Sequence, residues 1–345
     1  MIQEKERLNL AMKTKFPLYC REDGTFRVLC VSDFHAYHDR PVWDPRLKAA
    51  LEAMIKKHQP DLVFIAGDLT HDEDGLGSDE RLRAYIADIM EYCEKNGIPW
   101  AHIPGNHDRE RGLPPEVFEE FPHCLSRRGP EEVSGYGTYV LPVWRHDRED
   151  EGPAFCIWAF DSHTNVGEYR ALCGLEEPVF LPYLPTSFDT GYQSVFFNQC
   201  AWYWEVSEEM ERTYGHRTPG IMVMHTALPE HGLIPSNPTQ TEMKGEFNEF
   251  VGCAAINTGL FAAAYERREI REIVCGHDHI NTFSGQYMGI TLSMDGGLGF
   301  DAYGDNALRG GRLITFGKDN GSGVTSEYVY LKDCPEFQTG VFDDA

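Results

Sequence analysis

The sequence predicts an α/β fold of repeated strand–helix units, on three observations. Short apolar runs rich in β-branched residues recur along the chain, as at 26–32, 61–66 and 272–275. Stretches with an apolar stripe at helical spacing separate the early runs. Several runs end in a polar group: Asp33-Phe34-His35, Gly67-Asp68, Gly105-Asn106-His107-Asp108, His225 and Gly276-His277-Asp278-His279. Strands covered on both faces read as such unbroken apolar runs.

Residues 26–32 are the first expected core strand, ending in Asp33-Phe34-His35. In extended backbone, residues i and i+2 point the same way, so this carboxylate and imidazole can grip one ion. Residues 45–58 carry Leu47, Leu51, Met54, Ile55 and His58 on one stripe, an amphipathic helix stopped by Gln59-Pro60. Strand 61–68 follows, and Gly67 lets the backbone turn and deliver Asp68 at its end. The resulting βαβ unit lays the two strands side by side and brings Asp33 and Asp68 together.

The acidic stretch Thr70-His71-Asp72-Glu73-Asp74-Gly75 has two readings: a solvated turn, or a loop in which Asp72 orients a catalytic imidazole. Ser78 suits an N-cap. A helix is expected from there to about Asn96, with Leu82, Tyr85, Ile86, Ile89, Met90 and Cys93 inward and Gly97 closing it. Strand 98–103 leads into Gly105-Asn106-His107-Asp108. The neutral carbonyl oxygen of Asn106 suits a site already rich in negative charge. His107 is then free of the metal and able to face a substrate.

From 109 to 151 the pattern loosens, and 145–151 is a charge run at an expected hairpin tip. Residues 154–160 form a further strand ending at Asp161-Ser162-His163, which either border a pocket or serve structure. Residues 164–197, rich in Pro, Tyr and Phe, are expected to be an insertion loop that partly covers the site and sets substrate choice. A helix over about 198–214 follows, with Tyr203, Val206 and Met210 inward. Strand 220–224 ends at His225, a packing residue or a ligand, and the loop 229–232 is polar enough to line a rim. After a helix at 257–268, strand 272–275 opens into the His277/His279 pair. Two histidines at i and i+2 leave one face of extended backbone and can each meet a different ion. Further strands are expected at 290–294, 311–316 and 325–331. The glycines within 295–304 allow close backbone approach to a ligand or a tight sheet corner.

Length and charge bound the rest. The chain has 345 residues, enough for one large core or two modest ones. No stretch reads as a linker, so residues 1–345 are expected to form a single domain. Acidic residues outnumber basic ones 55 to 31, a net charge of −24, which argues against general nucleic-acid or anionic-membrane binding. An anionic substrate would need the field reversed locally, and bound cations do that. The ten cysteines form no CxxC pair and suit buried thiols of a reducing compartment. Residues 1–15 lack the apolar core of a signal peptide, and no run approaches a membrane span. A cytoplasmic protein is expected.

Taken together, Asp33/His35, Asp68, Asn106/His107, His225 and His277/His279, each after an apolar strand, resemble the calcineurin-like metallophosphoesterase superfamily. Ile98-Pro99-Trp100, Asn257-Thr258-Gly259 and the glycine-rich tail are most similar to its purple-acid-phosphatase-related branch of plants and fungi. One position departs: where purple members place a metal-binding tyrosine, three residues after the bridging aspartate, this chain has His71. No tyrosinate colour is therefore expected. The resemblance implies a two-sheet β-sandwich flanked by helices. It assigns one ion to Asp33, His35, Asp68 and His279, and a second to Asp68, Asn106, His225 and His277. The ions would be transition metals, Mn, Fe or Zn, which suit mixed imidazole and carboxylate donors. The activity it implies is hydrolysis of a small-molecule phosphate ester, a metal-bridging hydroxide attacking phosphorus in line, with His107 at the leaving oxygen and Asp72 as its partner. A non-catalytic metal-binding scaffold of the same fold is the alternative.

Overall fold

The computed structural model describes residues 2–37, 43–71, 78–110, 116–163, 192–254, 256–318 and 323–335. Fourteen described strands form two main sheets and one small one, numbered here in chain order. The five-stranded sheet has the order β14 (Gly323–Tyr330), β13 (Gly310–Lys318), β2 (Phe26–Val31), β4 (Leu62–Ile65), β6 (Trp100–His102). Strands β2, β4 and β6 are parallel, while β13 runs antiparallel to β2. The seven-stranded sheet has the order β1 (Leu18–Tyr19), β7 (Tyr139–Trp144), β8 (Phe155–Phe160), β9 (Gly220–Met224), β10 (Ile270–Cys275), β12 (Ile290–Met294), β11 (Ser284–Tyr287). A two-stranded parallel ribbon joins β3 (Ala36–Tyr37) to β5 (Thr70–His71).

The apolar runs end up between layers, as their composition requires. Val28, Phe64 and Ile314 of one sheet meet Leu141, Ile157, Val223 and Val274 of the other in a single buried cluster. The outer face of the five-stranded sheet, through Leu29, Val63 and Ile65, packs on α2 (Pro45–His58), α3 (Asp79–Ile89), α4 (Glu91–Asn96) and α5 (Glu116–Glu119). The outer face of the other sheet, through Trp158, Met222 and Ile273, is covered by α1 (Ile2–Ala11), α6 (Phe197–Tyr214), α7 (Leu233–Ser236) and α8 (Leu260–Arg267). The chain is thus mixed α/β, with two main sheets and helices on their outer faces. Asp44 caps α2 by accepting from the Arg46 backbone N–H at 2.8 Å, and Ser78 caps α3 as its sequence suggests.

Besides several two- to four-residue elements too short for any pattern, four others depart from the sequence reading. The helix expected from Ser78 to Asn96 is two, broken at Met90, whose ψ of 7° leaves the helical range; nothing local explains the break. Strand β7 was hidden by Pro142, a residue that normally argues against a strand. It pairs antiparallel with β8, Pro142 opposite Cys156. Helix α1 has only a weak apolar stripe and is held through Leu8 and Ala11. Strand β11 carries Gly285, whose missing side chain erases alternation. The expected insertion falls, at 164–191, outside the described residues, as does Asp72. The nine cysteines among the described residues are free and buried. Among the described residues no helix is long and apolar enough to cross a membrane.

Phe64 is fully buried between the sheets. Phe64→Ala is expected to lower unfolding free energy by about 3–5 kcal/mol, measured by urea denaturation.

Candidate metal centre

Parallel pairing of β2, β4 and β6 aligns three loops at one edge of the five-stranded sheet. The ends of β9 and β10 in the other sheet face the same place. There the backbone stops being extended: β2 ends at Val31, β4 at Ile65 and β10 at Cys275. Asp33, His35, Asp68 and His277 all take left-handed conformations, with φ of 57°, 50°, 49° and 75°. The i, i+2 argument for Asp33/His35 and for His277/His279 is therefore corrected. These pairs converge through left-handed turns, not through strand alternation. Hydrogen bonds between the loops hold the turns, from Asp33 N–H to Gly67 O at 3.1 Å and from His35 N–H to Asp68 O at 3.0 Å. Gly67 has φ +95°, and a Cβ there would overlap the His225 ring; a Cβ on Gly105 would overlap Asp68.

All seven residues expected to bind metal are buried or nearly so and lie together. Asp33, His35 and His279 offer ligand atoms within 4.8 Å of one another, and so do Asp68, His225 and His277. Asp68 sits between the two groups. Its Oδ2 is 3.1 Å from His225 Nε2 and 3.6 Å from His35 Nε2, while its Oδ1 accepts the His107 backbone N–H at 2.9 Å. Asn106 Oδ1 is 3.2 Å from His225 Nε2. Asp33 Oδ2 accepts the His277 backbone N–H at 3.0 Å and the Ser32 hydroxyl.

The donor set fits cations. Asp33 Oδ1 is buried without a hydrogen-bond partner, 3.3 Å from His279 Nε2 and 3.6 Å from His35 Nε2. Those two ring nitrogens are themselves 3.1 Å apart. The outward nitrogens are engaged: His225 Nδ1 lies 2.8 Å from Ala66 O and His279 Nδ1 lies 2.7 Å from Tyr303 O. A carbonyl can only accept, so each ring carries its proton on Nδ1 and, when neutral, turns the Nε2 lone pair inward. Lone pairs packed this closely against carboxylates need positive charge between them.

Without an ion, protons take that role. Burial pulls His225 down, but Asp68 and then Asp33 outweigh it and push it up to about 10. Burial pushes Asp68 up, but His225, with His35 and His107, outweighs it and holds the carboxyl below its ordinary range. His277 is driven down to about 3 by burial and by the charge on His225. Behind Asp33, burial and the Asp33 charge raise Asp295 well above the carboxylate range, and its Oδ1 lies 2.7 Å from Ser32 Oγ.

His107 is half-buried at a cavity of about 500 Å³ whose walls include Tyr37, Tyr192, Phe250, Tyr303 and Glu249. The sequence reading missed Glu110. Its Oε1 is 2.7 Å from His107 Nδ1, and its position three residues after His107 in a helical turn was the signal. Asp161 and His163 do not join the cluster. Asp161 pairs with Arg109, and His163 Nε2 meets Gln199 at 3.0 Å. His231 is buried against Ile273 O and is not among the described residues that line the cavity. The glycines after Asp295 pack on the site loops. Leu298 N–H and Gly299 N–H donate to Ser32 O and Asp33 O at 3.1 Å, and a Cβ on Gly299 would overlap that backbone.

A family model described as calcineurin-like phosphoesterase matches residues 26–281. The Arabidopsis thaliana "Probable inactive purple acid phosphatase 14" is 28% identical over 82% of this chain and 72% of its own length. "Phosphatase DCR2" of Saccharomyces cerevisiae is 22% identical over 76% of this chain and 45% of its own length. A solved dimetal phosphatase from Danio rerio shares the fold, with a TM-score of 0.50 at 12% identity over 87% of this chain and 98% of that one.

Metal and proton compete for His225 Nε2. Zn²⁺ titrated into metal-free protein near neutral pH is expected to release protons, and affinity to rise with pH as long as the pH stays below the raised value of about 10 for His225. Calorimetry in buffers of different ionisation heat measures this; identical heats in all buffers would contradict it.

Proposed function

Because the chain belongs to the calcineurin-like phosphoesterase family, we propose that it is a dinuclear-metal-dependent hydrolase of phosphate esters. The observation that carries the reading is Asp68, one carboxylate lying between two groups of inward-facing donors. In this reading Asp33, His35, Asp68 and His279 hold one ion, and Asp68, Asn106, His225 and His277 hold the other. Mn, Fe or Zn suit these donors. Two such ions supply Lewis acidity toward phosphoryl oxygens and a deprotonated water at neutral pH.

The protein's own groups do the rest. Asp33 and Asp68 contribute two negative charges against at least four from the ions, so the centre is net positive inside a protein of charge −24. That polarity admits an anionic ester. Burial lowers His107, but the Glu110 hydrogen bond and the Asp68 charge outweigh it, and its pKa is raised. The Glu110 carboxylate at Nδ1 favours the protonated ring, which suits donation to a leaving oxygen. Among the described residues, Glu110 is the partner this geometry supports. The aromatic walls of the cavity suit a small-molecule ester, and the acidity of the chain weighs against nucleic acid.

A metal-holding scaffold without catalysis is the second reading, favoured by the word "inactive" in the names of the Arabidopsis relatives. A chromogenic phosphoester assay with Mn²⁺ decides between them, turnover being expected. Asp68→Ala is expected to abolish dinuclear binding and activity together; full occupancy and turnover in that variant would end the reading. His107→Ala is expected to lose about 10²–10⁴-fold on esters with poor leaving groups and much less on good ones. An equal loss on both would speak against proton donation.

A further inference from the structure

His35, His71 and His107 also bring ring nitrogens within 4.8 Å of one another. We infer that His71 is a positioning residue that fixes the tautomer of His35 through its Nδ1 and meets His107 through a ring stack. The inference rests on the two-ion reading above and adds a role at the position where the purple branch has its tyrosine.

Position comes first. The β3–β5 ribbon sets His71 opposite Tyr37, and their rings stack at 4.4 Å with 20° between planes. His71 also stacks on His107, at 4.1 Å and 25°. Two near-parallel neighbours that close clamp opposite faces of the ring, so its orientation is held and only its edge is free to bond. That edge presents Nδ1 to His35 Nδ1 at 3.2 Å.

The tautomers then follow from chemistry. His35 turns Nε2 toward Asp33, Asp68 and His279. A neutral imidazole offering Nε2 as a lone pair carries its proton on Nδ1, and that N–H donates to His71 Nδ1. His71 must then keep its own proton on Nε2, which faces Glu110 Oε2 at 4.0 Å. The other Glu110 oxygen, Oε1, accepts from His107 Nδ1. Glu110 thus fixes the proton of His107 directly, while at 4.0 Å its other oxygen lies beyond hydrogen-bond reach of His71 Nε2 and offers that N–H only a favourable charge. A third ion among these histidines is the competing arrangement. It is disfavoured because stacked, near-parallel rings do not aim their lone pairs at one point, and His107 Nδ1 is already bound to Glu110.

Two substitutions separate the parts. His71→Phe keeps the stack and removes the acceptor; His71→Asn loses the stack and keeps an acceptor near the Nδ1 position. Calorimetric titration of metal-free protein with Zn²⁺ is expected to show two ions per chain in the wild type. His71→Phe is expected to weaken one of them about 10- to 100-fold and spare the other, while His71→Asn recovers most of that loss. Wild-type binding of both ions in His71→Phe overturns the inference, as does an Asn variant no better than Phe. A third wild-type ion that His71→Phe lacks overturns it in favour of an ion site. Wild-type protein that binds no ion overturns the two-ion reading itself. One measurement needs no variant: two-bond ¹H–¹⁵N spectra of the Zn²⁺-loaded protein are expected to show His71 protonated on Nε2, and protonation on Nδ1 overturns the assignment.

Discussion

The crowding of lone pairs around Asp68 is the constraint to which the rest of the structure answers. Buried carboxylates and imidazoles repel one another unless positive charge lies between them, and nothing in an apolar core would gather them spontaneously. Here they are forced together by the sheets. Left-handed residues other than glycine cost on the order of 1–3 kcal/mol each, and four of them, Asp33, His35, Asp68 and His277, stand at this one place. Three buried clusters, one between the sheets and one on each outer face, stabilise the frame that holds those turns. The same need explains the glycines: at Gly67 and Gly105 a single methyl group would displace His225 or Asp68.

Much of this was legible in the residues. The strands that carry the site are buried on both faces and so appear as unbroken apolar runs, and each ends in a side chain with chemistry. Parallel order then required those ends to be neighbours. That is why these seven residues lie together at one edge of the sheets, and their roles as ligands are a proposal. Strand alternation does not account for Asp33/His35 or His277/His279, because the backbone leaves the extended state before Asp33 and before His277. Sequence periodicity describes regular structure and has no purchase on such turns.

What stayed hidden had local causes. Pro142 masks a strand that tolerates it because that position lies near the edge, with only the two-residue β1 beyond it. Glu110 looks like any surface carboxylate until the short helical turn after Asn106 folds it back onto His107. In the sequence His71 stands out only for the tyrosine it replaces. Its contacts depend on a two-residue ribbon too short for any pattern to reveal. In each case the information lies in tertiary geometry, which a pattern read along the chain averages away.

The tail has a further bearing on how the protein comes to hold its ions. Strand β13 lies between β14 and β2, so a segment late in the sequence is the neighbour of an early one. The backbone just before it pairs with Ser32 and Asp33 and supplies Tyr303 O, on which the His279 ring leans. A nascent chain halted after His279 would possess every donor atom yet lack the brace that aims one of them. The aim of the His279 ring is therefore set by backbone that follows it in the chain, so the cage has its full geometry only once that backbone has docked.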